Sequence, residues 1–231
     1  MTGTTAVIVG AGAGLSAALA RKLAERGHDV VLAARDTDKL GKLASETGAR
    51  TVAMDASDPA AMRSLFVNLQ GPLGVAIYNP SARLRGPIID LDPERVRRAI
   101  EVTAYGAFLM GQQAARLMLQ NEGDKKGTIL FTGASAGVKG FAQSAPFAMG
   151  KFAQRGLAQS MARELHPKGI HVAWINIDGG ISNAVRAERT DDGSDKMLDP
   201  GAIAQAYIGL IDQHRSAWSD ELVLRPWVET F

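Results

Sequence analysis

Three groups of residues in this chain have the types and spacing for small-molecule chemistry. The first is Gly10-Ala11-Gly12-Ala13-Gly14-Leu15-Ser16, between a β-branched run (Ala6 to Val9) and a helical pattern from Ala17 to Arg26. Glycines allow a tight turn and let the backbone approach a phosphate, and a helix N-terminus presents unpaired N–H groups and a positive dipole. The pattern fits G-x-x-x-G-x-G, with Gly10 and Gly14 in place and Ser16 at the last glycine. It fits G-x-G-x-x-G less well, because Leu15 stands at the third glycine. A nucleotide phosphate is the expected ligand, contacted by Gly10, Ala13, Gly14 and Leu15.

The second group lies at two strand tips. An acidic residue after the second strand would accept hydrogen bonds from ribose hydroxyls and repel a 2′-phosphate. Here Ala34 is followed by Arg35, whose guanidinium can hold a phosphate in bidentate fashion. This favours NADP(H) over NAD(H); the alternative is an ordinary surface arginine before the Asp36-Thr37-Asp38 turn. Asp55, with Ala56 beside it at the end of the third strand, either accepts from an adenine amino group or caps the helix after Ser57-Asp58. The third group is Phe147-Ala148-Met149-Gly150-Lys151. Residues four apart share a helix face, so an amine lies beside a ring that can neither give nor take a proton. Ala148, Met149, Phe152 and Ala153 make the surroundings of Lys151 apolar.

The elements that position these groups alternate. Strand-like runs at Ala6–Val9, Asp29–Ala33, Arg50–Met54, Leu73–Tyr78, Thr128–Thr132, His171–Ile177 and Glu221–Leu224 are separated by helical patterns. Such alternation predicts a single-domain, doubly wound α/β fold over 1–231, with a seven-stranded, mostly parallel sheet and helices on both faces. Asp92-Pro93 predicts an N-cap opening a long helix to about Gln120, Ser144 before Pro146 opens another to His166, and Asp199-Pro200 opens a last one. Residues 183–198 are polar and aperiodic, either a lid over the site or a surface loop.

Composition narrows the class. With 231 residues, 46% hydrophobic and 22% charged, the chain resembles an average soluble globular domain. The net charge of +2 accompanies a pI near 9.0, with no Lys/Arg run of the nucleic-acid-binding kind. No apolar run approaches the ~18 residues of a membrane span, no metal site is expected, and the absence of cysteine suits a reducing cytoplasm.

Along nearly its whole length the chain resembles the short-chain dehydrogenase/reductase family. The matches are the glycine turn, Asp55, Tyr78-Asn79-Pro80-Ser81 in place of Asn-Asn-Ala-Gly, the spaced Lys151, and Asp178-Gly179-Gly180-Ile181 in place of Pro-Gly-x-Ile. The resemblance implies a Rossmann-type domain, a nicotinamide cofactor touched also by Asn79, Pro80, Ser81, Lys151 and Ile181, a small-molecule substrate, and a homodimer or homotetramer built through the two long helices. It also implies an active tetrad of Asn, Ser, Tyr and Lys, which here reads Thr103, Ala134, Phe147 and Lys151. This resembles a divergent subgroup that keeps the lysine and has Phe for Tyr. In the family the lysine holds the nicotinamide ribose and lowers the tyrosine pKa; only the first role has an object here.

Losing an acid and an oxyanion donor costs on the order of a hundredfold or more in rate for each. Ordinary ketone chemistry is therefore disfavoured, and an enone or quinone, whose charge delocalises, suits the site better. Tyr78 and Tyr105 are the remaining phenols in reach, Tyr207 being far along in a late helix, and Ser135 and Ser144 are weaker acids. Phe108, Phe141, Phe147, Phe152 and Trp174 either line an apolar site wall or belong to the core. Arg83 and Arg85 read as a solvated loop or as contacts to an anionic substrate. A different class, a dinucleotide-binding sensor or partner-binding protein without catalysis, fits the same losses.

Overall fold

Parallel strands buried on both faces need nearly continuous apolar sequence, and each apolar run forms one. In this computed structural model, which describes residues 3–183, 189–190 and 192–229, the strands are β1 (Thr5–Val9), β2 (Asp29–Ala34), β3 (Arg50–Ala53), β4 (Leu73–Tyr78), β5 (Gly127–Thr132), β6 (Ile170–Ile177), β7 (Gly180–Ile181), β8 (Met197–Leu198) and β9 (Glu221–Leu224). Seven form one parallel sheet in the order β3-β2-β1-β4-β5-β6-β9, and β7 pairs with β8 separately. Val9 at the end of β1 is in register with Ala33 on one side and Tyr78 on the other. The chain winds outward in opposite directions from β1 and β4, so a crevice opens at their C-terminal ends.

The helices are α1 (Leu15–Glu25), α2 (Gly41–Thr47), α3 (Pro59–Val67), α4 (Pro93–Ile100), α5 (Gly106–Met118), α6 (Ala145–Leu165) and α7 (Pro200–Asp212). On one face of the sheet Ile8, Leu32 and Ile77 pack with Leu19 and Leu23 of α1 and Ile203 and Ile208 of α7. On the other, Val7, Phe131 and Trp174 pack with Phe66 of α3, Met110 of α5 and Leu165 of α6. No described helix is long and apolar enough to cross a membrane.

Asp92 and Asp199 cap their helices as the Asp-Pro pairs predict, accepting from Arg95 N at 2.8 Å and Ala202 N at 2.7 Å. Ser144 stands at the N-cap position of α6 as expected, although its side chain makes no capping bond. Three expectations need correction. Asp58, not Asp55, caps α3, accepting from Ala60 N and Ala61 N. The helix expected without a break from Asp92 to Gln120 is interrupted by a five-residue π turn, Glu101–Tyr105, a device often found where a helix carries functional groups. In the stretch 183–198, Met197 and Leu198 form β8, so its end is a strand rather than a loop. Residues 184–188 and 191 of that stretch lie outside the described residues.

Candidate active site

The glycine turn is fixed from both sides. Gly10 has φ +82°, and a Cβ there would lie 2.6 Å from Pro80 Cγ, so conformation and space both demand glycine. Asn79 N donates to Val9 O at 3.0 Å. Its amide donates to Ser16 Oγ at 2.6 Å, and that hydroxyl donates to Gly10 O at 3.1 Å. Ser16, in the place of a glycine, thus ties the turn to the tip of β4. No side chain caps α1 at Gly14, and the first turn of α1 opens onto a cavity of about 470 Å³ that Ser81, Ile181, Asn183, Arg83 and Arg189 also line. With two guanidinium groups and no carboxylate among the described residues of that lining, the cavity suits an anion at a helix N-terminus.

A second cavity of about 570 Å³ adjoins it, between the tips of β1, β2 and β3, lined by Arg35, Asp36, Asp55, Ala56 and Pro80 among others. Asp55 accepts from Ser57 Oγ at 2.7 Å and Ser57 N at 2.9 Å. Those bonds, with smaller help from Arg35 and Arg98, hold its carboxyl below the usual carboxylate range. Asp55 therefore stays ionised and aimed at the cleft. Arg35 also borders a third cavity of about 480 Å³, shared with Arg83, Arg95 and Arg98. Together these features fit a nicotinamide dinucleotide: an uncapped helix end for the pyrophosphate, an acceptor at Asp55 and a basic edge at Arg35.

At the other end, Phe147 packs with Ala134 and Ala136, so the serine and tyrosine positions that the family resemblance implies do meet in space. The Arg83 guanidinium carbon lies 4.9 Å from the Phe147 ring centroid, within cation–π range. Arg83, one of two loop arginines in the sequence reading, thus sits on the site wall. Lys151 is 2% exposed. Its Nζ donates to Thr132 O at 2.5 Å and Gln154 Oε1 at 3.3 Å; an ammonium has three N–H donors, so one is left. Burial, and then the charge of Arg83, push its pKa down from 10.5 to about 7. Thr103 sits fully buried in the π turn, its hydroxyl accepting from Ala82 N at 3.1 Å and its carbonyl accepting from Gln154 Nε2 at 3.3 Å. It braces the site rather than facing the cleft.

The phenols are placed differently from the sequence reading. Tyr78 is buried and donates to Val102 O at 2.5 Å, and burial raises its pKa far above the usual phenol range. Tyr105 is exposed and stacks on Phe108 at 6.2 Å. Tyr207, remote in sequence, brings its hydroxyl 2.8 Å from Thr132 Oγ1, on the residue whose carbonyl holds Lys151. Trp174 is core, and Phe108, Phe141 and Phe152 are exposed, so of the proposed aromatic wall only Phe147 packs at the site. Gln154 was missed. Its signal is a polar residue three after Lys151 on the same helix face.

Comparison with known proteins places the fold in a family. The family model for short chain dehydrogenases matches residues 4–193. The chain belongs to the short chain dehydrogenase family. Within that family of oxidoreductases, it is 27% identical over 232 residues to an uncharacterised oxidoreductase of Staphylococcus aureus, covering 98% of each chain. A short-chain dehydrogenase structure from Rhodopseudomonas palustris superposes with a TM-score of 0.84 at 35% identity, covering 97% of this chain and 99% of that one. A metagenomic short-chain oxidoreductase solved in complex with NADP gives 0.83 at 27% identity, covering 99% of both.

Proposed function

We propose that this protein is an NADP(H)-dependent oxidoreductase of a divergent subgroup with Phe in the tyrosine position, acting on an activated carbonyl compound of the enone or quinone type. The observation that carries this reading is the pairing of a phosphate cavity lined by two guanidinium groups with a site wall of Phe147, Ala134 and Ala136 that offers no acidic hydroxyl. The bound dinucleotide would supply or accept a hydride. The chain's own residues do the rest. Gly10 and Gly14 admit the pyrophosphate to the end of α1, Arg35 favours a 2′-phosphate, Asp55 accepts from the adenine, and Lys151 directs its remaining donor to a ribose hydroxyl. Asn79, Pro80, Ser81 and Ile181 border the nicotinamide half. Substrate charge must then be tolerated without a phenol, which is why a delocalising acceptor suits the site.

One observation favours a second reading, a nucleotide-binding sensor without catalysis: both described bonds of Lys151 Nζ run to the protein itself. A single experiment separates the two. NADPH and NADH binding is measured on the purified protein, then NADPH oxidation against ketones, enones and quinones. Binding with turnover on enones or quinones supports the enzyme; binding with no turnover on any acceptor supports the sensor. Binding of neither nucleotide sinks both. We also propose a homodimer or homotetramer, because Tyr105, Phe108, Met149 and Phe152 of the π turn, α5 and α6 are all more than 40% exposed; light scattering reads the assembly directly.

A further inference from the structure

We infer that Arg83 is the oxyanion-binding group of this site, taking the place of the missing hydroxyls by holding the negative charge that hydride addition leaves on an enone or quinone oxygen. This rests on the oxidoreductase reading. Two positions carry it. Arg83 lies over the ring that fills the tyrosine position, 4.9 Å from its centroid, and it lines the same cavity as the α1 terminus and Ile181. Its charge is also felt at Lys151. Arg189 lines that cavity too, but its Nη1 lies 3.5 Å from Ile181 O, at the β7 side rather than on Phe147. Lys151 has two donors spent on Thr132 and Gln154, and the one that remains is committed to the ribose.

The chemistry suits arginine. A guanidinium stays charged at any working pH and presents a planar fork of donors, so it binds an oxyanion but supplies no proton. For an enone, hydride from the reduced nicotinamide forms a new C–H bond at the β-carbon. The C=C pair shifts toward the carbonyl carbon, and the carbonyl π pair moves onto oxygen as an enolate. Oxidation of a bound reduced nicotinamide would balance the two electrons, and water would protonate the enolate afterwards. A simple ketone yields a localised alkoxide that needs its proton at once, which this site cannot give.

The test reads oxyanion binding apart from turnover. 4-Nitrophenol, whose ionisation is visible in its absorbance, is titrated against the protein saturated with NADP+, in wild type and in Arg83→Gln. Wild type is expected to favour the phenolate at least tenfold over the phenol, and Arg83→Gln, titrated at its own saturating NADP+, to lose that preference. In steady state, kcat/KM for an enone should fall on the order of a hundredfold, and guanidinium chloride should partly restore an Arg83→Ala variant. An equal phenolate preference in wild type and variant, each saturated with NADP+, overturns the assignment. If wild type prefers the phenolate yet turns over no acceptor, the oxidoreductase reading fails while the anion site stands. If Arg83→Gln turns over enones at the wild-type rate, the Arg83 assignment fails and the enzyme reading survives.

Discussion

Replacing Lys151 by methionine should stabilise the nucleotide-free protein at and below neutral pH. The amine is almost wholly buried and its two described hydrogen-bond partners are neutral oxygens. A pKa lowered from 10.5 to about 7 corresponds to about 5 kcal/mol, at ~1.4 kcal/mol for each tenfold change in proton affinity. The unfolded chain holds this proton up to about pH 10.5 and the folded chain only to about pH 7. Between those values unfolding takes up a proton, so stability rises with pH, and the lysine's contribution is lost as pH falls through about 7. His171, lowered by burial to about 4, titrates below this window. Methionine keeps an unbranched stem of similar length and removes the charge, so Lys151→Met should gain ~1–4 kcal/mol at pH 6. For a domain of this size that is a rise of ~2–4 °C in Tm for each kcal/mol. The gain should shrink as pH approaches 10. Urea unfolding followed by circular dichroism from pH 6 to 9.5 measures it. Parallel pH profiles for the two proteins, or a variant weaker throughout, would refute the argument and mean that the folded chain keeps this lysine charged at no cost.

Gly10→Ala should destabilise the fold by ~2–4 kcal/mol and abolish nucleotide binding, since a left-handed φ and the Pro80 ring both exclude a Cβ; thermal melts and NADPH titration check both effects. Phe147→Tyr should bring a phenol into the wall four residues before Lys151 and raise ketone reduction by roughly a hundredfold, read as NADPH oxidation with a ketone that wild type leaves untouched. Arg35→Glu should weaken NADPH binding by about tenfold or more relative to NADH, through loss of a phosphate partner and gain of a repelling charge; paired Kd measurements give the ratio.

The strands were legible because burial on both faces leaves them few polar residues, and the caps at Asp92 and Asp199 because Asp-Pro carries its own mechanism. The π turn was not. Glu101 to Tyr105 contains no glycine or proline, and the extra residue there is accommodated by packing, with Gly150 of α6 pressed so close that a Cβ would lie 2.8 Å from Thr103 Cβ. The partnership of Ala134 and Phe147 came from the family resemblance, which assigns both to one tetrad, and the two side chains do pack together. Tyr207 was set aside, and Arg83 left between a solvated loop and a substrate contact, for one reason: their neighbours lie far away in sequence, Thr132 at the end of β5 and Phe147 across the cleft wall. Periodicity reports which face a residue occupies, but not which distant side chain it meets there.

Trp174 lies in the core at the foot of the segment that carries Ala134, in contact with the faces where Gly133 and Gly137 lack side chains, and with the Arg155 guanidinium 5.4 Å above its ring. The other two indoles are remote from it in character: Trp218 stacks on His171 at 4.9 Å, and Trp227 is 82% exposed. The protein therefore carries its own optical reporter. Any ligand that shifts the Gly133–Gly137 turn must change the surroundings of this buried indole. Occupancy of this site can be followed by the emission of the native chain, with no label attached and no product formed.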